Sequence, residues 1–218
     1  MSELRHGTKI RMALVIYSMF GSLAVVAAEQ PGALETSINQ AILAEINRVR
    51  TKPARLVTEL EEYRSHFQGK ELRVPGEVTL LTQEGAAAVD ETINFLKNAR
   101  ALPTMRLSAG MSRAAANHVN DLGPRGAVGH YSSDGSSPSD RLSRYGAWKK
   151  SIGENISFGE KAARRVVMQL LIDDGVPDRG HRKNFFKDEF RVVGIACGKH
   201  TIYRQMCVID FAVDYQEK

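Results

Sequence analysis

The order of periodicities along this chain constrains its fold more than any single residue does. Apolar residues recur at helical spacing through the first two thirds and alternate at strand spacing near the end. Ile38, Ile42, Ile46 and Val49 form one stripe, and Ala86, Val89, Ile93 and Leu96 a second. Leu107, Met111, Ala114 and Leu122 form a third, and Val166, Val167, Leu170 and Leu171 a fourth. Alternation is strongest in Val192-Val193-Gly194-Ile195 and Val208-Ile209-Asp210-Phe211. Helices come first and strands last, with no βαβ rhythm, so the chain reads as α+β with an antiparallel sheet.

Breaker residues set the boundaries. Ser37 can cap the first helix, and Lys52-Pro53 ends it, because proline disfavours helix in the residue before it. Pro53 opens a second helix bearing Leu56, Val57 and Leu60. Gly69, Pro75 and Gly76 mark 68–82 as loop. Further helices are expected over 83–100, 108–122 and 160–173. Residues 123–140 are rich in Gly, Pro and Ser and read as loop, and 141–160 as short elements around Trp148. The C-terminal strands, 191–197 and 203–213, flank a turn at Gly198-Lys199-His200.

The first residues carry an address. Arg5, Lys9 and Arg11 precede an apolar run from Met12 to Val26, and Val26-Ala27-Ala28 supplies small residues for cleavage. This is the pattern of a secretory signal peptide over 1–28, cut after Ala28. An uncleaved anchor is the alternative, but the run falls short of the roughly 20 residues that span a bilayer. Residues 29–36 read as a leader and 37–218 as one domain; no later stretch reads as a membrane span. Without residues 1–28, which carry three Lys/Arg and one acid, the formal net charge falls from +5 to a mild +3, and no basic block carries interleaved aromatics, which argues against nucleic acid as a partner.

The two cysteines, Cys197 and Cys207, lie in the two terminal strands. A hairpin centred near Ile202 sets them opposite each other, and in a secreted chain that predicts a disulfide. Two buried free thiols are the other reading.

Four polar groups carry the candidate chemistry. His130 stands in Gly129-His130-Tyr131, Glu154 in Gly153-Glu154-Asn155, Asp173 at the end of an apolar helix, and His181 in Gly180-His181-Arg182. Two imidazoles and two carboxylates suit a metal site or an acid/base site if the fold brings them together. Glu154 has apolar neighbours, so its carboxylate needs a partner or a cleft. A negative charge at a helix C-terminus is disfavoured, so Asp173, or Asp174 in its place, also needs a partner. His118 lies on an apolar stripe and reads as a hydrogen-bonded core histidine. No Ser-His-Asp or Cys-His arrangement, no His-Glu-x-x-His and no phosphate-binding loop is present.

In order, these segments resemble the CAP superfamily of cysteine-rich secretory, antigen 5 and pathogenesis-related 1 proteins, or SCP domains. The matching pieces are Ile46-Asn47-Arg48 with Pro53, Ala114 to Asp121, Gly129-His130, Gly153-Glu154-Asn155-Ile156, the helix before Asp173, Gly180-His181-Arg182-Lys183-Asn184, and Val193-Gly194-Ile195-Ala196. The Gly-His-Arg-x-Asn form looks like the compact branch. The resemblance implies a three-layer α-β-α sandwich with a central antiparallel sheet. It implies a cleft lined by His130, Glu154, Asp173 and His181, with His130 and His181 holding zinc or another divalent metal. Asp173 stands where Glu is usual, Leu170 where many members carry Trp, and 58–103 is longer than usual, adding a helical insertion. The implied function is a secreted, or in a bacterium periplasmic, binding module for a small ligand such as a lipid or sterol, or for a protein partner. The alternative is a metal- or acid/base-dependent hydrolase with Glu154 as general base. The catalytic assignment stays open, because fold does not set activity.

Overall fold

The computed structural model describes residues 31–218; the expected signal peptide lies outside them. Helix α1 spans Pro31–Thr51, so it begins inside the expected leader. After a 3-10 turn at Pro53–Leu56 come α2 (Val57–Ser65) and three two-residue strands, β1 (Phe67–Gln68), β2 (Glu71–Leu72) and β3 (Leu80–Leu81). These strands pair antiparallel in the order β1-β2-β3, within a segment expected to be loop. Helix α3 (Ala86–Asn98) follows, then β4 (Arg106–Leu107) and α4 (Ala109–Arg125), whose N-cap Ser108 accepts from the Met111 N–H.

Residues 141–160 are two elements and not several short ones. Helix α5 (Pro138–Tyr145) starts on a capping box of Ser137 and Asp140, and β5 (Gly146–Phe158) is a long strand. Helix α6 spans Ala163–Ile172 and α7 spans Gly180–Phe186, the latter unexpected from the sequence. Strands β6 (Val192–His200) and β7 (Arg204–Glu217) close the chain. Gly198, Lys199 and His200 belong to β6, so the turn sits at 201–203. Glycine and lysine there pair across to Met206 and Gln205 and continue the ladder.

The main sheet runs β4-β6-β7-β5. β6, β7 and β5 pair antiparallel, and the two-residue β4 adds a parallel edge. Side chains alternate to its two faces. Val193, Ile195, Cys197, Cys207, Ile209 and Phe211 join α1, α3, α6 and α7 in the larger core. Ala196, Met206 and Val208 pack with α4, as do Val192 and Ala212 with α4 and α5. Helices therefore cover both faces of the sheet, as the resemblance implied. Gly194 permits a close approach: a Cβ there would lie 2.3 Å from Met111 of α4. Cys197 and Cys207 are directly paired across β6 and β7 and form the expected disulfide, with Cα atoms 4.1 Å apart.

Candidate functional site

Edge strand β5 joins the two halves of the site. Lys149 pairs with Asp214 and Ile152 with Ala212, so β5 gains one residue between them. Lys150 takes a left-handed φ of 66° in this bulge. The extra residue resets every later side chain: Glu154 lies opposite Asp210, toward α4 and α5, and Asn155 lies opposite Ile209.

Glu154 is buried at 8 % exposure, yet it is paired. His130 Nδ1–H donates to its Oε1 at 2.7 Å, and the fully buried Arg141 donates to Oε2. Burial alone would raise the Glu154 carboxyl, but the His130 hydrogen bond and the Arg141 charge outweigh it and hold the group below its usual range. Arg141 also donates to the carbonyls of His130 and Ser136 and to Ser132 Oγ. Its planar fork thus clamps the loop and the acid together.

His118 holds the same loop from α4. Its Nε2 contacts the Gly129 carbonyl at 2.9 Å and its Nδ1 contacts Ser132 Oγ at 3.0 Å. A carbonyl only accepts, so Nε2 carries the proton and Nδ1 accepts from the serine. Burial depresses the pKa of this ring, which agrees with a neutral form. The expected core histidine is therefore a support for the His130 loop. It grips the residues on either side of His130–Tyr131.

The second pair forms at the α6–α7 junction. Asp173 caps α6 in a left-handed conformation, φ 57°. Its charge is misplaced for α6 and well placed for α7. Its Oδ2 accepts from His181 N–H at 2.9 Å, within the first turn of α7, and its Oδ1 from His181 Nδ1 at 2.5 Å. Asp174 takes another role and accepts from the backbone of Gln83 and Glu84.

Neighbouring motif residues lock the two halves to each other. Asn155 Nδ2 donates to the His181 carbonyl, and Asn184 Nδ2 donates to Asn155 Oδ1. A Cβ at Gly153 would come within 2.8 Å of the Asn184 side chain, so glycine is needed where α7 meets β5. Arg182 donates to the carbonyls of Leu171 and Ile172, which end α6 without helical partners. Sequence reasoning missed Arg141 and Arg50. Arg50 is fully buried in α1 and donates to the carbonyls of Pro103, Phe185, Lys187 and Phe190. An arginine inside an otherwise apolar helical stripe was the available signal.

The four groups thus stand as two histidine–carboxylate pairs, one built on β5 through Glu154 and one at the α6–α7 junction that Asn155 of β5 holds. The pairs line different depressions. His130 and Glu154 border an open one of about 330 Å³ with Pro138, Ser139 and Ile152. Asp173 and His181 border one of about 290 Å³, whose lining includes the apolar Phe67, Leu72, Leu80 and Leu170 and the charged Glu160 and Arg165. Each histidine spends Nδ1 on a carboxylate, a bond that orients ligating imidazoles in metal sites. Among the described residues, however, no three His, Cys, Asp or Glu side chains converge on one point. Zinc usually takes three protein ligands plus water.

A model of the cysteine-rich secretory protein family, CAP, matches residues 43–211. The chain belongs to the CAP family. This CAP protein is similar to the uncharacterized protein YkwD of Bacillus subtilis (strain 168), at 27 % identity over 107 residues, or 49 % of this chain. The match spans only 40 % of that relative's length. Among solved structures it is similar to an outer surface protein from Borrelia burgdorferi, with TM-score 0.44 and 20 % identity over 54 % of this chain and 80 % of that one. An extracellular protein containing an SCP domain from Bacillus anthracis str. Ames gives TM-score 0.40 and 22 % identity, over 51 % and 34 %. No helix of this CAP protein, among the described residues, is long and apolar enough to cross a membrane.

Proposed function

We propose that this CAP protein is a secreted binding module that takes a small ligand with an apolar body and a polar end. The observation that carries the reading is the depression beside α6. Its apolar wall is built by Phe67, Leu72 and Leu80 from the 58–103 segment and by Met168 and Leu170 from α6, while Asp173 and His181 share its polar lining with Glu160, Arg165, Gln169 and Asp174. A concave wall that is apolar on one side and carries polar and charged groups on the other suits a small amphiphile. The signal-like N-terminus and the Cys197–Cys207 disulfide support export to an oxidising compartment.

A fluorescent long-chain fatty acid is the probe. Saturable binding is expected, weakened at least tenfold, about 1.4 kcal/mol or more, in Leu80→Glu and in His181→Ala. Leu80 is 46 % exposed, so a charge there spares the core. Absence of saturable binding, or binding unchanged in both variants, defeats the proposal. The hydrolase alternative draws on the other pair. His130 is half exposed, and with Nδ1–H fixed on Glu154 its Nε2 has the form of an oriented general base. Turnover of an ester of the same fatty acid that disappears in His130→Ala would favour it.

A further inference from the structure

Asp210 reads in the sequence only as part of an alternating strand, and nothing in the pairing of the four site residues uses it. It lies on β7 directly opposite Glu154 on β5 and Gly194 on β6. It is 1 % exposed, and neither carboxyl oxygen has a hydrogen-bond partner among the described residues. That is an expensive arrangement for an ionised carboxylate. The charged groups that bear on it are Glu154 from β5 and Arg141 from α5. From β6 it meets Gly194, which α4 covers with the backbone of Met111, so no cation comes from that side. Arg141 directs Nη1 to the loop and Nη2 to Glu154, and its buried Nε–H reaches no acceptor, Asp210 included. Two buried carboxyl groups therefore stand beside one guanidinium, and only Glu154 is bonded to it.

We infer that Asp210 is a neutral carboxylic acid that shares one proton with Glu154 and positions it from beneath, leaving Glu154 as the carboxylate that His130 and Arg141 require. The geometry needs this proton. Two facing carboxylates are both acceptors, so each Asp210 oxygen lacks a donor; protonation turns Asp210 into a donor toward Glu154. The same arrangement removes one of two like charges that cannot both ionise at close range. Burial pushes the Asp210 carboxyl well above its usual value, and the Glu154 charge pushes it the same way, against the pull of Arg141. Asp210 is a positioning residue here: it acts on His130 through Glu154.

An unfolded aspartate releases its proton near pH ~3.9, while the folded one keeps it to higher pH. The folded state then binds more protons, and its advantage declines as pH rises from the unfolded value toward the folded one. Urea unfolding of wild type and Asp210→Asn, from about pH 5 to about pH 8, tests this, because asparagine keeps the donor and cannot ionise. The wild-type folding constant should fall relative to the variant by up to tenfold per pH unit. The side-chain ¹³C carboxyl resonance of Asp210 in wild-type protein, at the protonated position near neutral pH, is the second readout and needs no variant to fold. A flat ratio across the range overturns the inference. So does an Asp210 carboxyl carbon at the ionised position at neutral pH.

Discussion

Removing the Arg141 side chain would leave Glu154 buried without its cation and free the His130 and Ser136 carbonyls. Breaking a buried pair by deleting one partner costs about 3–5 kcal/mol. Arg141→Met is therefore expected to destabilise the protein by about that much in urea unfolding, far more than the loss of an exposed pair such as Arg64–Asp90. Arg141→Lys should recover only part of the loss, since an ammonium cannot span Glu154 and the loop carbonyls at once.

At the scale of elements, the β6–β7 hairpin and the α6–α7 junction differ in what holds them. The disulfide joins residues that are already paired and closes a short loop, with a sequence separation of 10. Chain entropy gives a cross-link of this span roughly 2–3 kcal/mol. The double variant Cys197→Ala, Cys207→Ala should lose no more than that and keep its fold, as circular dichroism and thermal unfolding would show. The α6–α7 junction has no such staple. It rests on Asp173 capping α7 and on Arg179, which donates to Glu84 and Glu91 and to the Asp173 and Val176 carbonyls. Because α3 and the loop before it supply Glu84, Glu91 and the backbone that binds Asp174, the 58–103 segment is part of the site's support.

Across the whole molecule, acid should unfold the chain cooperatively. Hydrogen bonds from Arg179 and the Gly175 N–H lower Glu84 to about 2. Glu91 and Glu154 are also lowered, the latter against its burial, by His130 and Arg141. A depressed carboxyl contributes stability above its unfolded pKa and loses it as pH falls through the folded one. His118, depressed by burial, acts in the same sense from about pH 6.5 downward, because the unfolded ring takes up the proton first. Asp210 opposes them. Below about pH 4.5 the folding constant should drop more than tenfold per pH unit, which denaturant titrations at stepped pH would measure. A slope of less than one proton would mean that these pairs form equally in the unfolded chain.

The sequence by itself determined the class of fold and the family, and it named the residues of the candidate site. Helical stripes, the closing alternation and the paired cysteines are local or short-range signals, and each became the element it implied. His130, Glu154, Asp173 and His181 were legible because they stand in short motifs with glycine beside three of them. The tertiary structure decided the rest, for reasons of register and long-range contact. One extra residue near Lys150 places Glu154 against Asp210; without it the strand count would set Glu154 opposite Ile209, in the larger apolar core. Asp173 could be judged only once α7 stood against it, since its charge is wrong for the helix it ends and right for the one it faces. Arg141, Arg50 and Asp210 carry no motif. Their roles come from burial and from partners that, for Arg50 and Asp210, lie at least 50 residues away, and no periodicity in the chain encodes such a meeting.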